Sequence, residues 1–100
     1  MNNLITMTIQ LEQGNDEERA YLREELEKCN LRGSITGSGN MVFCLPEGTF
    51  VGTFEGEDIV AITDDLLAKA KHILDHCNLN GLIYISSGRQ WVWRGIKFHK

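Results

Sequence analysis

One hundred residues with 42% hydrophobic side chains, 24% charged ones and a single Pro describe one folded domain and exclude a disordered segment. A chain of this size hides about two-thirds of its unfolded surface, enough for a two-layer core without staples. The net charge of −4 weighs against a plain polyanion-binding domain, no run approaches the ~18 apolar residues of a membrane span, and Met1-Asn2-Asn3-Leu4 does not read as a signal peptide.

Residues 4–11 alternate, with Ile5, Met7, Ile9 and Leu11 on one side and Leu4, Thr6, Thr8 and Gln10 on the other. That is a strand with one buried face. Gly14-Asn15-Asp16 opens a helix, with Asn15 or Asp16 as cap and acids in the first turn, where the helix dipole favours them. Leu22, Leu26 and Cys29 form its apolar stripe, and Asn30 suits the left-handed stop position. A second strand is predicted at 31–37 and a third at 41–45, joined by Gly37-Ser38-Gly39-Asn40 and ended by Pro46. Residues 46–58 read as a Gly-rich flap or short extra hairpin that Phe50 and Phe54 fasten to the core; no phosphate-loop pattern is present. The second helix reads most clearly from a Thr63 cap, with Leu66, Leu67, Ala70, Ile73, Leu74 and Cys77 inward. Ile59-Val60-Ala61-Ile62 fits an earlier helical turn or a short strand equally well. Asn78 stops this helix, a fourth strand covers 81–86, and Ser87-Gly88-Arg89 turns into an extended segment at 90–98.

Ten residues recur. Leu26-Glu27-Lys28-Cys29-Asn30-Leu31-Arg32-Gly33-Ser34-Ile35 returns as Leu74-Asp75-His76-Cys77-Asn78-Leu79-Asn80-Gly81-Leu82-Ile83, with six identical positions. Each copy reads as helix end, turn and strand start. Shared capping chemistry would produce Asn and Gly alone; Leu, Cys, Leu and Ile in register favour a pseudo-symmetric pair of halves. The predicted class is α+β: a ferredoxin-like β-α-β-β-α-β domain over residues 1–100 with an additional C-terminal strand. Its two helices cover one face of an antiparallel sheet.

The best functional candidate is the end of the chain. All fourteen acids lie in residues 1–75, whereas 76–100 hold Arg89, Arg94, Lys97 and Lys100 and no acid. Trp91 and Trp93 stand among these cations, and rings beside cations suit single-stranded nucleic acid, where bases stack and phosphates pair. The competing reading is a protein interface, where Trp is equally at home. Arg89, Trp91, Trp93, Arg94 and Lys97 are therefore the candidate nucleic-acid-binding residues, with Thr6, Thr8 and Gln10 extending that surface. His72 and His76 have a zinc-compatible spacing, but they share a solvated helix face with the Asp65–Lys69 pair, and no third ligand is obvious. No metal site is assigned. Glu12, just after the first strand, is the one acid at a sheet end and the sole catalytic candidate. Cys29, Cys44 and Cys77 have no metal-type spacing; all three fall at core positions, and a reducing cytoplasm suits them.

The chain resembles small ferredoxin-like proteins of the toxin–antitoxin and CRISPR-adaptation groups, GhoS-type antitoxins first and VapD-like endoribonucleases more distantly. The likeness runs through Asn30-Leu31, Leu45-Pro46, Thr63-Asp64-Asp65 and Gly88-Arg89-Gln90-Trp91. It implies a dimer that uses the last strand and handles RNA, with endoribonuclease activity in some members. Those nucleases hold a metal with an Asp at the end of strand one; here the sequence is Leu11-Glu12-Gln13-Gly14, which puts catalysis in doubt unless Glu12 substitutes. The expectation is a small cytoplasmic regulatory protein of bacterial or phage type, a homodimer without cofactor or membrane span. It binds RNA or, alternatively, is a non-catalytic protein–protein interaction or inhibitor module. A ligand-sensing domain of the ACT type is a weaker third reading, since only Gly14 stands where such sites favour a Gly-rich loop.

Overall fold

In a computed structural model describing residues 2–89, 94 and 95, the alternation read at 4–11 becomes the central strand β1 (Asn2–Leu11). The order continues with α1 (Asp16–Lys28), β2 (Ser34–Thr36), β3 (Val42–Cys44), β4 (Thr49–Glu55), α2 (Ile59–His76) and β5 (Gly81–Gly88). β1 pairs antiparallel with β4 on one side and β5 on the other, so that Met7 faces Phe50 and Ile85. Ile5, Met7, Ile9 and Phe50 are buried on one face of this sheet. They form one core with Leu22 and Leu26 of α1, Leu31, and Leu66, Ala70, Ile73 and Leu74 of α2. The fold is α+β, with two helices and antiparallel sheets. No helix among the described residues is long and apolar enough to cross a membrane.

The predicted four-stranded order needs correction at its third strand. Residues 42–44 pair with 34–36 in a separate two-stranded sheet, joined to β4 by an isolated bridge between Arg32 and Val51. The neighbour of β1 is the 49–55 segment, read as part of a flap or short extra hairpin. Its two Phe rings do reach the core, Phe50 buried and Phe54 packed against it. The glycines that suggested a loop have packing roles. Gly48 has φ +84° and donates no space to a side chain, because a Cβ there would run into the Ile9 carbonyl. Its own carbonyl accepts the Ile9 N–H at 2.7 Å.

Helix caps follow the sequence at α1 and differ at α2. Asn15 and Glu18 form a reciprocal capping box: the Glu18 N–H donates to Asn15 Oδ1 at 2.8 Å, and the Asn15 N–H donates to Glu18 Oε1 at 3.1 Å. At α2 the cap is Asp58, whose carboxylate accepts the Ala61 N–H at 3.0 Å, so Ile59–Ile62 is helical. Thr63 lies inside the helix, its hydroxyl near the carbonyls of Ile59 and Val60 at 2.9 and 3.0 Å.

The ten-residue repeat marks two copies of one helix stop. The N–H of Leu31 donates to the Leu26 carbonyl at 2.9 Å and that of Asn30 to Glu27 at 3.0 Å; Leu79 to Leu74 and Asn78 to Asp75 repeat this at 2.9 and 3.0 Å. Asn30 and Asn78 are left-handed, with φ of 66° and 53°. This is the Schellman arrangement, in which an apolar residue after the stop packs against one in the last turn. Leu, Asn and Leu recur because the motif uses each of them.

Two further expectations change. Cys44 is exposed on β3 rather than buried, because its neighbour Phe43 takes the inward place on that three-residue strand. Asn3, unremarked in the sequence, is a buried polar residue of β1. Its amide donates to the carbonyls of Phe54 and Gly56 at 3.1 and 3.0 Å, tying the end of β4 to the centre of the sheet. The predicted C-terminal strand at 90–98 falls outside the described residues apart from Arg94 and Gly95; Gly95 lies directly against the Phe43 ring.

Candidate nucleic-acid interface

Residues opposite one another in an antiparallel ladder share a face. The register therefore puts Leu4, Thr6, Thr8 and Gln10 on the side of the sheet away from the helices, with Thr53, Val51 and Thr49 beside them on β4. On β5 the same face carries Ser86 opposite Thr6, Tyr84 opposite Thr8 and Leu82 opposite Gln10. Leu82 and Tyr84 are 70% and 66% exposed, unusual for large apolar side chains on a sheet strand. Tyr84 was not singled out in the sequence. The signal that could have found it is the alternation in Leu82-Ile83-Tyr84-Ile85, which sends Tyr84 outward once Ile83 and Ile85 pack on the core.

Charge is distributed unevenly between the layers. Nine of the fourteen acids lie in α1 and α2. The three strands of the main sheet contain one, Glu55. Three cations of the described residues lie outside the helices, and register places one of them, Arg32, on this face. Arg32, exposed, is paired with Val51 and so shares its side. Arg89, exposed just beyond β5, makes a long 3.5 Å hydrogen bond to the Glu57 carbonyl. Arg94, also exposed, precedes the Gly95 that meets Phe43. Of the residues predicted from sequence, Thr6, Thr8 and Gln10 thus share the face with Tyr84, whereas Arg89 reaches the Glu57 carbonyl beside the Asp58 cap of α2 and is not placed on it. Trp91, Trp93 and Lys97 lie outside the described residues.

Glu12 is exposed, with its N–H donating to the Asn80 carbonyl at 2.9 Å. Among the described residues no three His, Cys, Asp or Glu side chains group to hold a metal ion. His76 stacks instead on Tyr21 of α1, ring centroids 5.6 Å apart, so that the two helices touch through this pair.

The helix layer holds the perturbed ionisable groups. The Lys28 ammonium hydrogen-bonds the Glu25 carboxylate at 2.6 Å and holds its pKa below the ordinary value, against some desolvation. Burial, and then the neighbouring Glu25 charge, push the Tyr21 phenol up. Lys69 is raised by its hydrogen bond to Asp65, the expected i,i+4 pair at 2.9 Å. Desolvation raises the Cys77 thiol. These shifts fit structural surface pairs. A carboxylate with a depressed folded pKa contributes stability above its unfolded pKa and loses it as pH falls through the folded value. Stability is therefore expected to fall less steeply between pH ~5 and ~3 in Glu25→Gln than in the parent, measured by urea melts across that window.

No family model, no curated protein and no solved structure matches the chain.

Proposed function

We propose that this chain is a small cytoplasmic regulatory protein that binds single-stranded RNA on the bare face of its sheet, in the manner of GhoS-type antitoxins. The observation that carries the reading is the separation of layers: acids crowd the helices, while the opposite face offers an exposed Tyr84 ring among hydroxyl and amide side chains, with Arg32 on the same side. A polyanion meets least repulsion from that side. Bases stack on the ring, Thr6, Thr8 and Gln10 supply hydrogen bonds, and Arg32, Arg89, Arg94 and Lys97 meet phosphates. Trp91 and Trp93 add stacking area from the chain's end. We read the architecture as ferredoxin-like, with β4 as the strand between β1 and the Arg32-led segment; the Arg32–Val51 bridge supports that order. The active form is a homodimer.

The experiment is a titration with a short single-stranded RNA at low and high salt, followed by the fluorescence of the chain's two Trp residues. Saturable quenching that weakens steeply with salt is expected, because binding releases counterions. Tyr84→Ala is expected to cost about 1–3 kcal/mol, roughly five- to 150-fold in affinity. Glu24→Ala on the helix side should leave affinity unchanged. An unchanged signal at high micromolar RNA removes this reading.

A protein partner is the second reading, and the exposed Leu82 beside Tyr84 favours it, since such pairs anchor interfaces. RNA cleavage that survives Glu12→Ala and chelator would remove Glu12 as a catalytic group.

A further inference from the structure

We propose that the cavity between α1 and the β3–β4 connection is a binding site for a small aromatic anion of mononucleotide size, separate from the bare sheet face. The cavity, about 550 Å³, opens where β1 ends and the chain turns from β3 into β4. That size lies in the range of small-molecule sites, which typically combine an apolar body with a few convergent polar groups. Leu22, Pro46 and Phe50 contribute apolar surface to it.

Its charge is opposite to that of the chain. Arg19 and Arg23, one helical turn apart on α1, both line the cavity, and Glu47 is the single acid among the lining residues. Glu47 is already engaged, its carboxylate 3.3 Å from Arg19 Nε. That contact can hold the Arg19 side chain toward the mouth. Among the described residues no carboxylate pairs with Arg23. The Arg23 guanidinium, with the terminal nitrogens of Arg19 beyond its Nε contact to Glu47, offers planar forked donors, the geometry that recognises phosphate or carboxylate oxygens in pairs. An apolar floor under a cationic wall selects an anion that carries a flat apolar body, such as a nucleoside monophosphate or the 5′-phosphorylated end of an RNA.

Cys44 also lines the cavity and is exposed, whereas Cys29 and Cys77 are half-buried. Its alkylation by iodoacetamide, followed by intact mass and peptide mapping, is therefore a local readout with two internal references. Millimolar 5′-AMP is expected to slow Cys44 alkylation several-fold without changing Cys77, and adenosine is expected not to. A 5′-phosphorylated tetranucleotide that protects better than its 5′-hydroxyl counterpart assigns the site to RNA ends; protection by AMP alone assigns it to free nucleotides. Arg23→Ala, at an exposed position, is expected to raise the AMP concentration needed by about tenfold or more. Equal protection by adenosine, absence of protection by any of these probes, or protection undiminished in Arg23→Ala overturns the proposal. Tyr84→Ala should leave Cys44 protection unchanged, so failure on the sheet face and failure in the cavity are read separately.

Discussion

Gly52→Ala is expected to destabilise the fold by about 3 kcal/mol, the upper range for overpacking a filled interior, and to lower the melting temperature by roughly 15 °C in a domain of this size. The sign is informative. Gly52 sits in the middle of β4 opposite Ile5, and its φ is not left-handed. On propensity alone, Ala there should be neutral or gain about 0.4–1 kcal/mol by stiffening the unfolded chain. The surroundings reverse this. A Cβ at Gly52 would collide with the backbone carbonyl of Asn30 and press on the Phe54 ring. Asn30 cannot move aside cheaply, because its left-handed backbone stops α1 and its side-chain amide donates to the Thr53 carbonyl at 2.9 Å. The end of α1 is thus seated on β4 through one missing side chain. Thr53→Ala, at the exposed neighbouring position, should change stability by less than about 0.5 kcal/mol. Thermal melts of both variants, followed by circular dichroism, check the pair; a stabilised Gly52→Ala would mean that the helix end does not rest there.

The same glycine explains why β4 was hidden in the sequence. Gly in a strand counts against it unless another backbone approaches closely, and that approach comes from a residue 22 positions earlier, invisible to any local pattern. β1 was legible because its alternation is uninterrupted and its buried face is purely aliphatic from Ile5 to Ile9. The helix stops were legible because Asn30 and Asn78 perform a local task with local partners. The start of α2 was half-legible: Asp58 and Thr63 both have capping chemistry, and only the hydrogen bond to the Ala61 N–H decides for Asp58. At the candidate interface, composition pointed to the aromatic and basic end of the chain, but Tyr84 and Arg32 become neighbours of Thr8 and Val51 only through sheet register. Function was least legible for that reason: the face is assembled from strands far apart in sequence, none with a distinctive motif.

The two copies of the helix-stop repeat offer the second large effect. Leu31 and Leu79 hold the same place in the same motif, each donating its N–H to the Leu five residues before it. Motif chemistry alone predicts equal costs on truncation. Burial predicts otherwise: Leu31 is fully enclosed beneath α1, whereas Leu79 is half-buried where α2 gives way to β5, its side chain near Gly14. Removing three carbons from an enclosed Leu loses transfer energy and leaves a void that rigid neighbours cannot fill, about 3–4 kcal/mol for Leu31→Ala. At Leu79 water and the adjacent loop can occupy part of the space, and about half that cost is expected. Urea unfolding of the two variants, with slopes checked for equality, measures the difference directly. Equal costs would mean that the hydrogen-bonded stop, rather than enclosure of the following side chain, sets the stability of each half. A larger cost at Leu31 would locate the stability of the domain at the junction of α1 with β4, the same junction that Gly52 holds open.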